Sequence, residues 1–161
     1  PSERAKQAGA PVRVDISALQ EGQQLSVAWR GQPIFIAKRS KAATDRLKAM
    51  DALVADPASA NADQQPEYAK NEYRSIKPEI LVLVGVCTHL GCAPDFLPEV
   101  KPEAFDSEWK GGYFCPCHKS RYDMAGRVYK AQPAPSNLPV PPHRYADDNT
   151  IVIGEDQQGA A

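Results

Sequence analysis

Two short stretches hold all four cysteines of the chain and two of its three histidines: VCTHLGC at residues 86–92 and FCPCHKSRYD at residues 114–123. The first supplies Cys87, His89 and Cys92, the second Cys115, Cys117 and His118. Thiolates and imidazoles are the ligands of zinc and of iron–sulfur centres, so a metal site split across two loops is one use for them. A structural zinc site normally joins Cys-x(2–4)-Cys knuckles to a second pair of ligands. Here the close pairs are mixed, Cys-x-His and Cys-x-x-His, and two cysteines would be left over. A disulfide framework suits the even cysteine count, with three possible connectivities. It leaves His89 and His118 in equivalent loop positions by accident. An iron–sulfur centre with both cysteine and histidine ligands uses every one of these residues or leaves a cysteine pair to cross-link the loops. Residue types alone leave the three open.

CTHLGC and CPCHKS resemble the two cluster-binding boxes of the Rieske iron–sulfur proteins. The resemblance extends over nearly the whole chain. The opening VDISALQEGQQLSVAWRGQPIFI, the SRYDMAGRV segment, the PAP loop and the closing strand are similar to those of Rieske subunits of cytochrome bc complexes. It implies one 2Fe–2S cluster, with Cys87 and Cys115 on one iron and His89 and His118 on the other. It implies a Cys92–Cys117 disulfide, a pair that the Rieske ferredoxins of ring-hydroxylating oxygenases usually lack. The hydroxyls of Ser120 and Tyr122 would donate hydrogen bonds to a bridging sulfide and to the Cys87 sulfur, which raises the reduction potential. Pro133, Ala134 and Pro135 match the proline loop that covers the cluster, and Leu90 matches the exposed leucine of the docking tip. Lys119 and Gln132 depart from the pattern, each standing where glycine is common. The connection between the boxes is also longer than in mitochondrial members by an insertion of roughly residues 95–109, a form that looks bacterial.

The activity implied is that of a quinol–cytochrome c reductase subunit. Such centres reach potentials of about +300 mV, which suits oxidation of ubiquinol bound on a cytochrome b subunit. His118, with His89 beside it, would accept the quinol hydrogen bond and proton, and the electron would pass to a c-type cytochrome. Family likeness further implies an N-terminal membrane anchor preceding Pro1, at the periplasmic face of the bacterial inner membrane. The alternative is a soluble Rieske-type relay subunit of another oxidoreductase.

Strands must position these loops. Val12, Val14 and Ile16 alternate with polar residues. Leu25, Val27 and Trp29, then Ile34 and Ile36, do the same on either side of a turn near Gly31, which predicts a strand and a hairpin. Ile80–Val86 is a continuous β-rich run, expected of a strand covered on both faces, and it leads directly into the first ligand loop. Tyr113–Phe114 is a short strand leading into the second. RYDMAGRVY predicts a hairpin turning at Ala125–Gly126, and Arg144–Tyr145 with Thr150–Ile153 a second one. One helix is expected, capped by Thr44, carrying Leu47, Met50, Leu53 and Val54 on one face and stopped by Pro57. Residues 56–72 and 93–110 read as loop. His143 reads as a structural or surface residue. The expected fold is all-β with one short helix, a Rieske-type antiparallel sandwich with a small cluster-binding subdomain at about residues 85–136.

Composition narrows the function classes. The chain has 161 residues, 19 basic against 20 acidic, which gives no reason to expect a nucleic-acid partner. Fifteen prolines and ten glycines suit a loop-rich domain. No apolar run is long enough to span a bilayer. Residues 1–11 carry no apolar period and read as a tether, with residues 12–161 as the head domain. The start at Pro1 reads as a processed or truncated chain.

Overall fold

The computed structural model describes residues 9–156, with Ser2 and Arg4 before them. Among the described residues nine strands form three antiparallel three-stranded sheets, ordered β1-β9-β8, β2-β3-β4 and β5-β6-β7. The strands are β1 Val12–Asp15, β2 Gln24–Trp29, β3 Gln32–Lys38, β4 Ile80–Val84, β5 Asp95–Leu97, β6 Gly112–Phe114, β7 Arg121–Tyr122, β8 His143–Asp147 and β9 Thr150–Ile153. The antiparallel β-rich class expected from the period-two pattern is the one observed.

The β2–β3 hairpin turns through Arg30 and Gly31, both at positive φ (54° and 70°). Two left-handed residues in a two-residue turn match the twist of the flanking strands. The register pairs Val27 with Ile34 and Leu25 with Ile36. Alternation along β3 and β4 then divides the molecule. Ile34, Ile36, Ile80, Val82 and Val84 face a core shared with Val14 of β1 and Ile151 and Ile153 of β9. Phe35, Ala37, Leu81 and Leu83 face a second core containing Cys87, Cys115, Tyr113 and Tyr122. The central sheet is therefore a shared wall. All five residues of β4 are buried, the condition that its unbroken apolar run predicted.

The helical expectation needs correction. In the stretch expected as one helix stand two short helices, α1 Lys41–Asp45 and α2 Leu47–Met50. The N-cap is Ser40, whose Oγ accepts from Ala43 N–H at 3.1 Å, while Thr44 lies inside α1. Leu53 is about half exposed, and Val54 bridges to Tyr129. The backbone after Met50 pairs with residues 128–130 instead: Ala55 N–H donates to Val128 O and Lys130 N–H to Leu53 O, both at 2.9 Å. A free strand edge offered those groups better partners than another helical turn.

Two segments read as loop are more ordered than expected. Residues 56–72 contain 3-10 turns at Ala62–Gln64 and Glu67–Ala69. Within 93–110, β5 pairs with β6, Phe96 opposite Tyr113. Phe105 stacks on Phe114 with centroids 3.8 Å apart, and buried Trp109 donates to Leu97 O at 3.0 Å. The irregular parts are held by buried arginines. Arg39 donates to Pro78 O, Met124 O and Ser75 Oγ, and Arg74 to Ala125 O, Leu138 O and Gln64 O. Burial pulls both guanidinium groups down to about 10, so both remain charged at neutral pH. Arg127 pairs with Asp123 and Asp51. Among the described residues no helix is long and apolar enough to cross a membrane. Of the expected tether, residues 1, 3 and 5–8 lie outside the described residues; Gly9 O accepts from Trp29 Nε1 at 3.3 Å.

Candidate metal centre

Two loops of the same build face each other. In the first, which follows β4, Cys87 O accepts from Gly91 N–H at 3.1 Å, and Cys87 N–H donates to Cys92 O at 2.6 Å. In the second, which follows β6, Cys115 O accepts from Lys119 N–H at 2.8 Å, and Cys115 N–H donates to Ser120 O at 2.9 Å. Each loop thus closes around its leading cysteine with the same spacing, four and five residues on. The fourth residue in each is left-handed, Gly91 at φ 86° and Lys119 at φ 67°. That equivalence explains why glycine suits position 119: a residue with Cβ adopts this region only at a cost.

The loops are joined by a disulfide between Cys92 and Cys117, Cα atoms 6.5 Å apart. Cys87 and Cys115 are free thiols, 3% and 1% exposed. The rings of His89 and His118 lie edge to face with centroids 4.8 Å apart. A third segment covers them. Thr88 Oγ1 donates to Ser136 O at 2.7 Å, and Ala134 N–H donates to Ser120 Oγ at 2.9 Å. The proline loop is thereby fastened to both ligand loops. Ala134 is buried between exposed Pro133 and Pro135, and Leu90 is 68% exposed.

Hydrogen-bond donors are aimed at both thiols. Tyr122 Oη stands 3.1 Å from Cys87 Sγ and accepts from Thr88 N–H at 3.4 Å. Burial pushes the Cys115 thiol up, against the backbone N–H groups of Cys117 and His118, which favour the thiolate; the neighbouring Cys87 adds to the rise. His89 Nδ1 is buried with no hydrogen-bond partner. A buried imidazole nitrogen without a partner is costly unless it ligates something. Two buried thiols with donors directed at them, and two imidazoles in contact, one of them orphaned, fit an iron–sulfur cluster with mixed ligands. The sulfurs of Cys92, Cys115 and Cys117 also lie within 4.8 Å of one another. Two of those are bonded to each other, so only Cys115 of that group is free to ligate.

Comparison with known proteins agrees. Residues 61–142, which contain both ligand loops and the proline loop, match the family described as Rieske [2Fe-2S] domain. The chain belongs to the Rieske family. The ubiquinol-cytochrome c reductase iron-sulfur subunit of Allochromatium vinosum is 52% identical over 160 residues, covering 99% of this chain and 77% of that one. The subunit of the same name from Rhodospirillum rubrum is 44% identical, covering 90% and 71%. The mitochondrial Rieske subunit of the cytochrome b-c1 complex of Zea mays is 41% identical, covering 90% of this chain and 46% of that one. A solved structure described as hyperthermophilic respiratory Complex III aligns with a TM-score of 0.55 at 27% identity, covering 94% and 79%.

As a Rieske domain the chain carries a 2Fe–2S cluster and transfers electrons. Sequence reading of this Rieske domain missed Thr88, which pins the proline loop, and the function of Gln132, whose Oε1 accepts from Arg121 N–H at 2.9 Å. Thr88 lies between two residues singled out as ligands, and that placement was its one signal.

Proposed function

We propose that Cys87, His89, Cys115 and His118 hold the two irons, and that the domain is the quinol-oxidising iron–sulfur subunit of a cytochrome bc complex. The cluster supplies a one-electron couple of high potential when bound. Everything else falls to the protein. The observation that carries the reading is the paired build of the two loops, which brings two free thiols and two imidazoles to one place. His118 is exposed where Cys87 and Cys115 are buried, so its outward ring nitrogen can accept a hydrogen bond and proton from the hydroxyl of ubiquinol seated on a cytochrome b subunit. Leu90, Pro133 and Pro135 offer an apolar collar for that docking and keep water from the ring edge. A c-type cytochrome collects the electron. In this reading residues 12–161 form the head, with cluster binding at about 85–136, and residues 1–11 tether it to an anchor on the periplasmic side of the membrane. Support for the complex comes from relatives whose names place them in ubiquinol–cytochrome c reductase.

Electron paramagnetic resonance of the dithionite-reduced protein, with iron and zinc analysis, tests the ligand set. A Rieske signal that disappears in each of Cys87→Ala, His89→Ala, Cys115→Ala and His118→Ala is expected. A normal signal in His118→Ala, or zinc in place of iron, would overturn it.

A further inference from the structure

The three segments that make the cluster end of the domain, residues 85–93, 115–121 and 130–137, contain no aspartate or glutamate. They do contain Lys119, Arg121 and Lys130, in a chain whose acidic residues outnumber its basic ones by 20 to 19. Arg121 is matched by Asp106 at 2.8 Å. Lys119 is exposed, immediately follows exposed His118, and has no ion-pair partner among the described residues. It also occupies an unfavourable place. The equivalent position of the other loop is Gly91, and Lys119 takes the same left-handed conformation with a Cβ. Backbone strain at a ligand loop, kept by a residue with a long cationic side chain, points to a use for the charge.

We propose that Lys119 makes the electron-transfer edge locally positive and recognises a carboxylate-bearing face on the protein that collects the electron. This rests on the cluster reading above. A net charge of −1 would oppose an acidic partner at long range. Screening limits that field to about 8 Å at physiological salt. At contact the unpaired cation beside His118 dominates, and it sets orientation and on-rate more than affinity. The apolar collar supplies area, and Lys119 supplies the sign.

The test is stopped-flow oxidation of the reduced holo-protein by two one-electron oxidants, anionic hexacyanoferrate(III) and cationic tris(phenanthroline)cobalt(III). One electron leaves the reduced cluster and reduces one oxidant molecule, with no bond made or broken. For the wild type, the hexacyanoferrate rate should fall with ionic strength and the cobalt rate should rise. Lys119→Gln should lower the hexacyanoferrate rate several-fold at low salt and abolish its salt slope, whereas Lys48→Gln on α2 keeps the wild-type slope. Lys119→Gly should lose the steering equally but melt at a higher temperature, which separates charge from backbone. A wild-type hexacyanoferrate rate that rises with salt, an unchanged slope in Lys119→Gln, or transfer of the whole effect to Lys130→Gln would overturn the proposal. A preparation without the Rieske signal overturns the cluster reading and this proposal with it. A normal signal with a flat salt dependence overturns this proposal alone.

Discussion

Tyr122 meets the first ligand loop at two atoms, and the two contacts divide its hydroxyl. The oxygen accepts from Thr88 N–H at 3.4 Å, which leaves the proton to point at Cys87 Sγ, 3.1 Å away. A donor directed at a ligand sulfur favours the more negative, reduced form. A hydrogen bond to a charged acceptor is worth about 1.5–3 kcal/mol. Only the part that differs between redox states counts, so Tyr122→Phe should keep the cluster and lower its potential by about 50–130 mV, using ~1.4 kcal/mol per 59 mV for a one-electron couple as the conversion. Protein-film voltammetry would read this, and an unchanged potential would remove Tyr122 from the tuning residues. Ser120 differs, because its Oγ also accepts from Ala134 N–H at 2.9 Å and so fastens the proline loop. At this scale the cysteines and the histidines were legible because rare residues stand at fixed spacing, and Tyr122 only through the likeness to the Rieske family. Thr88 and Gln132 were not. Their value depends on which distant loop folds over them, and local sequence does not name that loop, even where Thr88 stands between two ligand residues.

The two ligand loops are independent connections between strands, and one covalent link joins their tips. Cys92 and Cys117 are 25 residues apart, and closing such a loop is worth roughly 3–4 kcal/mol in the chain-entropy account. The double variant Cys92→Ala/Cys117→Ala should lose about that much in urea unfolding. It should also release iron faster to a chelator, because the loops are then held by the proline segment and the Tyr122 contacts without a covalent link. Iron retention equal to wild type would mean that the Thr88–Ser136 and Ser120–Ala134 bonds suffice. A second fastening lies beneath the site. Arg74 is fully buried and donates to the carbonyls of Ala125 and Leu138 at 3.0 and 2.9 Å, holding the turn after β7 against the segment after the proline loop. Arg74→Met leaves those carbonyls unsatisfied, at about 1–3 kcal/mol each, so a loss of at least 2 kcal/mol is expected in the same titration. A smaller loss would show that water replaces the guanidinium. The strands were legible because period-two alternation is a property of the segment itself. The helix boundary and β5 were not. Val54 leaves its helix for an edge at Tyr129, and Phe96 becomes a strand residue because Tyr113 is there to pair with it. Both are decisions made by tertiary partners.

Across the whole molecule the sheet β1-β9-β8 packs on the core that does not contain the ligand cysteines, and it contains the one histidine that no ligand box claimed. His143 opens β8 opposite Ile153 and is 1% exposed. Its backbone N–H donates to the Tyr68 hydroxyl at 2.9 Å, its Nδ1 lies 2.8 Å from Pro141 O, and its ring meets the edge of Tyr68. Burial lowers its pKa from 6.5 to about 4, with the Pro141 carbonyl opposing the fall. The fold therefore holds this ring neutral, with Nδ1–H donating to Pro141 O. Above pH 6.5 the folded and unfolded chains both carry it neutral, and it contributes nothing to the pH dependence. Between pH 6.5 and 4 the unfolded chain takes up a proton that the folded one refuses, so stability must fall as pH falls. Below pH 4 the penalty is complete, at roughly 3 kcal/mol from 1.36 kcal/mol per pH unit. Replacing His143 with Asn keeps a donor for Pro141 and removes the titration. The wild type should then lose about 3 kcal/mol more than His143→Asn when urea unfolding is compared at pH 7 and pH 4, with most of the difference developing below pH 6. Parallel pH profiles for the two proteins would mean that the ring gains a proton without leaving its site, and that water reaches the layer between Tyr68 and β8.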